Sequence, residues 1–255
     1  SCLIVRSATT ARKDLIDSCP NLKLIGRGGV GMDNIDVDYA KSKNIHVINT
    51  PAASSSSVAE LVIAHLYGCV RFLHDSNRNM PLEGEQNFKS LKKSYSKGIE
   101  LRGKTIGIIG FGRIGKEVAK IALGIGMKVL ASDKFVEKTD IKIDFFNNKS
   151  MSFELKTQSL NSVLKESDFI TLHIPAQQKY IINKESISLM KDGVGIINAA
   201  RGGLINESDL IEALDSKKVS FAAFDTFENE PNPNIKLLMH PKVSLSPHIG
   251  AATNQ

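Results

Sequence analysis

The sequence predicts an α/β fold, a doubly wound parallel sheet accompanied by a smaller α/β unit, and three observations carry that prediction. Short, largely apolar runs recur at 104–109, 128–132, 168–174, 194–198, 220–224 and 243–246, with helical patterns in the gaps after the first five. Strands that alternate with helices build a parallel sheet covered on both faces. The second observation is "GFGRIG", which sets Gly110, Gly112 and Gly115 between the first of these runs and a helix. The third is Asp133, which ends the second run close to the spacing of about 20 residues at which an acid follows such a turn.

Each part of that unit has a physical task. Gly110 permits the tight turn, Gly112 lets a pyrophosphate approach the backbone, and Gly115 lets helix and strand pack closely. The helix repeats Ile114, Val118, Ala119 and Ala122 on one face and stops near Gly124 and Gly126. Its N-terminus offers free N–H groups and a positive dipole end to phosphates. Asp133 can accept from the ribose hydroxyls, which favours NAD over NADP because a 2′-phosphate would face a carboxylate.

Ahead of this unit, "CLIV", residues 11–19, "LKLIG" and "IHVINT" read as strand, helix, strand and strand, with a glycine turn at "GRGGVGMDN". From Ser54, "SSSSVAELVIAHLYGCVRFLHDSNR" reads as one long connecting helix capped by serines, and 83–97 as a loop or short helix. Residues 134–157 read as an irregular excursion. The expected domains are 1–51, 52–247 and a return segment at 248–255. The chain starts directly on a strand-like run and stops at "GAATNQ", so both ends read as cuts.

Of 255 residues, 33 are Lys or Arg and 27 Asp or Glu, a net charge of +6. That balance is too mild, and too free of long basic runs, for a nucleic-acid partner; a solvated surface is the default reading, with small anionic substrates as the second. Cys2, Cys19 and Cys69 show no C-x-x-C spacing, which points to buried thiols in a reducing, cytoplasmic setting. Apolar runs are strand-length, so no membrane span is expected and no signal-peptide pattern is seen. No metal site is expected.

A bound nicotinamide needs a substrate, a proton carrier and a cation to orient it. Three candidates follow predicted strands: Arg201 after "GIINAA", Glu230 in "DTFENEP", and His248 in "SPHIG". Arg201 can clamp a carboxylate, His248 can move a proton near neutral pH, and Glu230 can fix the histidine tautomer. Singly, each residue type is more often a surface or packing residue; together, downstream of a dinucleotide turn, they form a site.

"GFGRIG…D", "NAARGGLINE", "DTFENEP" and "SPHIGAAT" resemble, in order and spacing, the D-isomer-specific 2-hydroxyacid dehydrogenases, over essentially the whole chain. The resemblance implies a Rossmann NAD-binding domain with a smaller flavodoxin-like substrate domain, and it places the family's Arg–Glu–His set on the same three residues. It also implies cofactor contacts at Arg113, Ile114, Ile174, Pro175, Ala199, Ala200, Asp225 (beside the nicotinamide amide) and Gly250. A homodimer is implied, with Lys92 and Lys93 on its dimer-facing segment. After "LHIP" the chain has "AQQKYIIN", shorter than the usual family stretch and without its threonines.

"IVRSATT", "GRGGVGMDNID" and "INTP" resemble the family members that act on a phosphorylated three-carbon hydroxyacid. That implies Val30 and Gly31 on the substrate carboxylate, with Arg6 and Arg27 on its phosphate, a dianion that needs cations. Two alternatives stay open: a reductase of hydroxypyruvate or glyoxylate on the same scaffold, and an NAD-sensing binding protein like the corepressors that resemble this family.

Overall fold

A computed structural model describes residues 1–6, 8–50 and 52–254. Its contacts divide the chain into one unit of Ser1–Ser57 with Ala251–Gln255 and a second of Val58–Gly250. The division therefore falls inside the long helix, later than the expected 51/52 boundary, and after Gly250 instead of before His248.

The first unit is a parallel sheet of three strands, β1 (Cys2–Val5), β2 (Leu24–Arg27) and β3 (His46–Asn49), in the order β1-β2-β3. Helices α1 (Lys13–Asp17) and α2 (Val37–Ser42) join them. Helix α2 went unread in the sequence; Asp36 caps it by accepting from the Tyr39 N–H. Val5, Ala11, Ile16, Leu22, Ile25, Ile35, Ala40 and Ile45 form the small core.

The expected single helix from Ser54 is two helices: α3 (Ser55–Val70) and α4 (Leu73–Ser94), bent by 53°. Phe72 sits between them in the left-handed region at φ 55°. The stretch 83–97, expected as a loop or short helix, lies mostly in α4, with Pro81 inside it and non-helical angles at Asn87. The Ser54 hydroxyl, just ahead of α3, is buried without a partner. No single helix among the described residues is long and apolar enough to cross a membrane.

The second unit is a six-stranded parallel sheet. Its strands are β4 (Thr105–Ile109), β5 (Lys128–Ser132), β8 (Phe169–Leu172), β9 (Val194–Asn198), β10 (Val219–Phe224) and β11 (Val243–Leu245), in the order β11-β10-β9-β8-β4-β5. Strands β8 and β9 are buried along their whole length, as a sheet covered on both faces requires. Helices α5 (Arg113–Gly124), α6 (Leu160–Glu166), α7 (Lys184–Leu189), α8 (Glu207–Asp215) and α9 (Ile235–Leu238) connect them. Most begin at a side-chain cap: Ser159, Asn183, Asn206 and Asn234 each accept from a backbone N–H of the first turn.

The expected irregular excursion is an antiparallel hairpin, β6 (Lys138–Asp144) with β7 (Ser150–Lys156). Its turn holds Asn148 at φ 60°, a conformation asparagine tolerates better than most residues.

Two apolar layers sandwich the sheet. One packs α3 and α5 on it through Val62, Leu66, Val118, Ala119 and Ala122. The other packs α6, α7 and α8 through Leu164, Ile187, Leu210 and Leu214. The sequence order reverses between β4 and β8, so a crevice opens at their C-terminal ends, where open α/β sheets bind ligands.

Candidate active site and dinucleotide cradle

The cradle is built where β4 meets α5. Gly110 adopts φ +95°, and a Cβ there would lie 2.5 Å from the His173 carbonyl at the end of β8. A Cβ on Gly115 would collide with the Gly110 carbonyl oxygen, so helix and turn touch only because position 115 is glycine. Gly112 differs: a Cβ there meets no protein atom within 4 Å. That open space over a helix N-terminus fits a pyrophosphate drawn against the backbone.

Asp133, at the end of β5, accepts from the N–H groups of Phe111 (2.6 Å), Phe135 (2.8 Å) and Val136 (3.1 Å). Burial pushes its carboxyl upward, but the three backbone donors outweigh it and hold the group below the usual carboxylate range. A carboxylate has about four acceptor positions, so Asp133 stays ionised with room for a ribose hydroxyl. Arg113 is exposed at the start of α5, and Ile114 is half-buried against the core. Ile174 and Pro175 follow β8; the carbonyls of Pro175 and Ala176 accept from the Gln177 amide at 3.1 Å. His173 escaped sequence reasoning. Its Nε2 lies 2.9 Å from Thr171 Oγ1, and desolvation pushes the imidazole far below its ordinary value, leaving it neutral beside the cradle.

The three candidate catalytic residues follow β9, β10 and β11, neighbouring strands of one edge. His248 Nδ1 and Glu230 Oε2 are 2.9 Å apart, and Glu230 Oε1 accepts from the Phe227 N–H at 2.9 Å. An ionised carboxylate can only accept, so Nδ1 carries the proton and Nε2 keeps its lone pair. His248 is at φ 53°, a left-handed conformation that a non-glycine residue holds only when its surroundings impose it.

Arg201 is half-buried, with Nη1 donating to the Ala200 carbonyl at 2.6 Å. Asn198, 1% exposed at the end of β9, brackets this turn. Its Oδ1 accepts from the Ala200 N–H (3.1 Å) and its Nδ2 donates to the Arg201 carbonyl (2.8 Å). Ala199 and Ala200 are buried in the same turn.

The turn carrying Arg201 is fastened to the turn carrying Glu230. A Cβ on Gly202 would strike the Phe227 carbonyl. A reciprocal clasp lies beside it: the Glu228 N–H donates to Glu207 Oε1 (2.9 Å) and the Glu207 N–H to Glu228 Oε1 (3.3 Å). Burial, reinforced by the Glu228 charge against the pull of its N–H, pushes the Glu207 carboxyl up. Neither glutamate was singled out in the sequence, where they are ordinary helix-start and loop carboxylates.

Asp225, expected beside the nicotinamide amide, is 1% exposed, and its carboxylate is turned to the His248 segment. Oδ1 accepts from Ser246 Oγ (2.6 Å) and the Ile249 N–H (2.9 Å), and Oδ2 from the Gly250 N–H (2.8 Å). The segment packs tightly there: a Cβ on Gly250 would lie 3.0 Å from Asp225 Oδ2 and 3.4 Å from Val58.

In the first unit, the Arg6 stem lies 3.8 Å from where a Gly28 Cβ would be, and a Gly29 Cβ would strike the Arg27 guanidinium. Both arginines thus flank one glycine turn. Asn34 ties it, accepting from Arg27 Nε (3.2 Å) and donating to the Arg6 carbonyl (2.9 Å). Asn49 donates to the Val30 carbonyl at 2.7 Å. Among the described residues, the N–H groups of Val30 and Gly31 have no protein acceptor.

The expectation of buried thiols changes. Of the cysteines, Cys69 is buried, while Cys2 is exposed and Cys19 intermediate. Lys92 and Lys93 are exposed near the end of α4.

Comparisons with known proteins agree with this geometry. Residues 63–250 match the family model described as D-isomer specific 2-hydroxyacid dehydrogenase, NAD binding domain. A hydroxypyruvate reductase of Thermotoga maritima is 46% identical over 98% of this chain and 78% of its own length. A D-3-phosphoglycerate dehydrogenase of Methanocaldococcus jannaschii is 43% identical over 99% of this chain, which spans 46% of that protein. Among solved structures, D-lactate dehydrogenase from Aquifex aeolicus, complexed with NAD and lactic acid, superposes with a TM-score of 0.78 at 34% identity. That match covers 99% of this chain and 77% of that one. A glyoxylate reductase from Paecilomyes thermophila gives a TM-score of 0.80 at 30% identity, over 99% of this chain and 74% of that one. The chain belongs to the D-isomer-specific 2-hydroxyacid dehydrogenase family, and its second unit carries that family's NAD-binding domain.

Proposed function

We propose that the protein interconverts a D-2-hydroxyacid and its 2-keto acid with NAD, and that the pair is D-3-phosphoglycerate and 3-phosphohydroxypyruvate, the entry step to L-serine. The observation that carries the reaction class is the 2.9 Å contact between His248 Nδ1 and Glu230 Oε2, which leaves Nε2 as the proton-exchanging nitrogen. NAD, when bound, supplies the hydride acceptor for oxidation or, as NADH, the donor for reduction. His248 takes the hydroxyl proton in oxidation and returns it to the carbonyl oxygen in reduction. Glu230 holds the histidine tautomer by accepting from Nδ1. Arg201 orients the substrate carboxylate and polarises the carbonyl.

The phosphate reading rests on Arg6 and Arg27 flanking one glycine turn, with the Val30 and Gly31 N–H groups beside it for a carboxylate. A dianion is suited to two guanidinium forks. The second reading, reduction of hydroxypyruvate or glyoxylate, is favoured by the 46% identity to a hydroxypyruvate reductase most of whose length is matched. NADH consumption by the full-length protein with Arg27→Ala separates the two. If Arg27 binds phosphate, KM for 3-phosphohydroxypyruvate rises about tenfold or more, the scale of a lost charged hydrogen bond, while KM for hydroxypyruvate barely moves. Equal changes for both acids would remove the phosphate contact and leave the reductase reading. The homodimer, and the cytoplasm as its compartment, stay with this proposal as implications of the resemblance.

A further inference from the structure

His65 lies on α3, among Val62, Ile63, Leu66 and Cys69 of the core, and is 8% exposed. An apolar residue would fill that place without desolvating an imidazole. Both ring nitrogens are nevertheless used: Nδ1 lies 2.9 Å from Ser244 Oγ, and Nε2 lies 2.9 Å from Ser246 Oγ. Hydrogen-bond accounting fixes the direction of every link. Asp225 can only accept, so Ser246 gives it its single hydroxyl proton at 2.6 Å. Ser246 Oγ can then only accept from His65, so Nε2 carries the ring proton, and the bare Nδ1 accepts from Ser244. The result is one directed chain, Ser244 to His65 to Ser246 to Asp225. Asp225 in turn holds the N–H groups of Ile249 and Gly250.

His248 lies between the two ends of this grip, at φ 53°, and its own N–H reaches back to the Ser246 carbonyl at 3.1 Å. From this we infer that His65 is a positioning residue for the proton carrier: through Ser246 and Asp225 it holds the backbone of His248 in the conformation that meets Glu230. Burial lowers the His65 pKa against the raising influence of the Asp225 charge, consistent with the neutral ring the chain requires. Cys69, one helical turn on, shares Ser244; its thiol is pushed up to about 12 by burial and is inert.

The inference rests on the dehydrogenase reading for its kinetic test, and a second readout keeps the two separable. In the full-length protein, His65→Leu and Ser246→Ala should each lower kcat for the 2-keto acid about 10- to 100-fold, the scale of a misplaced catalytic group. Affinity for NADH should change less than about twofold, and the double variant should be no slower than the slower single one. His65→Gln, which can still donate and accept, should recover part of the loss. Unchanged kcat per folded site, losses that multiply in the double variant, or a Gln variant no better than Leu would each overturn the inference. Nitrogen-15 NMR of the wild-type imidazoles should show His65 neutral and protonated on Nε2. An Nδ1–H or doubly protonated ring would overturn it even if no 2-keto acid is turned over, an outcome that by itself would sink the dehydrogenase reading and leave the chain to be judged on the tautomer.

Discussion

Asp133 and Asp225 are both aspartates at the C-terminal edge of one sheet, and each carboxylate accepts three hydrogen bonds from the protein. Their settings divide their work. Asp133 is half-exposed at the edge strand, with backbone donors that shape the cradle and a remaining acceptor position open to solvent. Asp225 is 1% exposed, and its donors all belong to the segment around His248. The same side chain, with the same number of bonds, keeps an acceptor position open to a ligand when half-exposed and is committed to the segment around His248 when buried. Exposure decides between the two.

The largest way to break that comparison lies beyond both aspartates, at His248 itself. His248→Ala should lower kcat by about 100- to 10,000-fold, the usual share of general acid–base catalysis, with NADH affinity unchanged. A parallel loss of NADH binding would mean that the two regions are not separable. Next, Asp225→Asn should place a donor against an N–H of the buried segment. We expect about 1–3 kcal/mol of lost stability in denaturant unfolding, together with reduced kcat. Lost NADH affinity without lost stability would instead assign Asp225 to the cofactor.

Two glycines sharpen the cradle side. Gly115→Ala must push α5 off the turn and should cost about 1–3 kcal/mol, the scale of overpacking. Gly112→Ala has no protein atom to meet and should cost less than about 0.5 kcal/mol, yet weaken NADH binding markedly in a fluorescence titration. Equal destabilisation by both would contradict the assignment of open space at Gly112 to ligand.

The smallest effect belongs to Asp133→Asn, which should weaken NADH about tenfold and narrow its advantage over NADPH. Its folded pKa is lowered, so the charged form adds stability above the unfolded value of about 3.9, and that stability is lost as pH falls through the folded pKa. The melting-temperature gap between wild type and Asp133→Asn should therefore close below about pH 4. A gap that widened on acidification would show that the carboxylate is not stabilised by its three donors.

Much of this was legible in the sequence, for identifiable reasons. Strands Lys128–Ser132 and Val194–Asn198 were read with their observed bounds, because short apolar runs between turn signals leave little choice. Helix α5 was legible because its apolar residues repeat at helical spacing after a glycine turn. The break at Phe72 was not, since a bulky residue in the left-handed region carries no glycine or proline signal. Helix α4 was obscured by Pro81, Gly84 and an exposed, polar surface. In the hairpin, the alternation of "KTDIKID" was present but overshadowed by the polar "FFNNKS" turn.

In the site, Arg201, Glu230 and His248 stood out because each follows a strand-like run, and the structure pairs the last two directly. The supports did not stand out. His65 bonds to Ser244 and Ser246, residues 179 and 181 positions away. Glu207 and Glu228 clasp through their own backbones, and Asn198 brackets a turn. Such bonds depend on which strands are neighbours, and only the fold supplies that. One signal was available: a histidine and a cysteine at i and i+4 on an otherwise apolar helix face mark a polar partner opposite.

The proposed activity is that of an NAD-linked 2-hydroxyacid dehydrogenase whose proton carrier and cation come from this chain. Its most direct test is NADH consumption by the full-length protein with 3-phosphohydroxypyruvate, hydroxypyruvate and glyoxylate in parallel. We expect turnover of at least one of these acids, with the phosphorylated acid preferred. NADH bound with none of the acids reduced would contradict it and point to the NAD-sensing alternative.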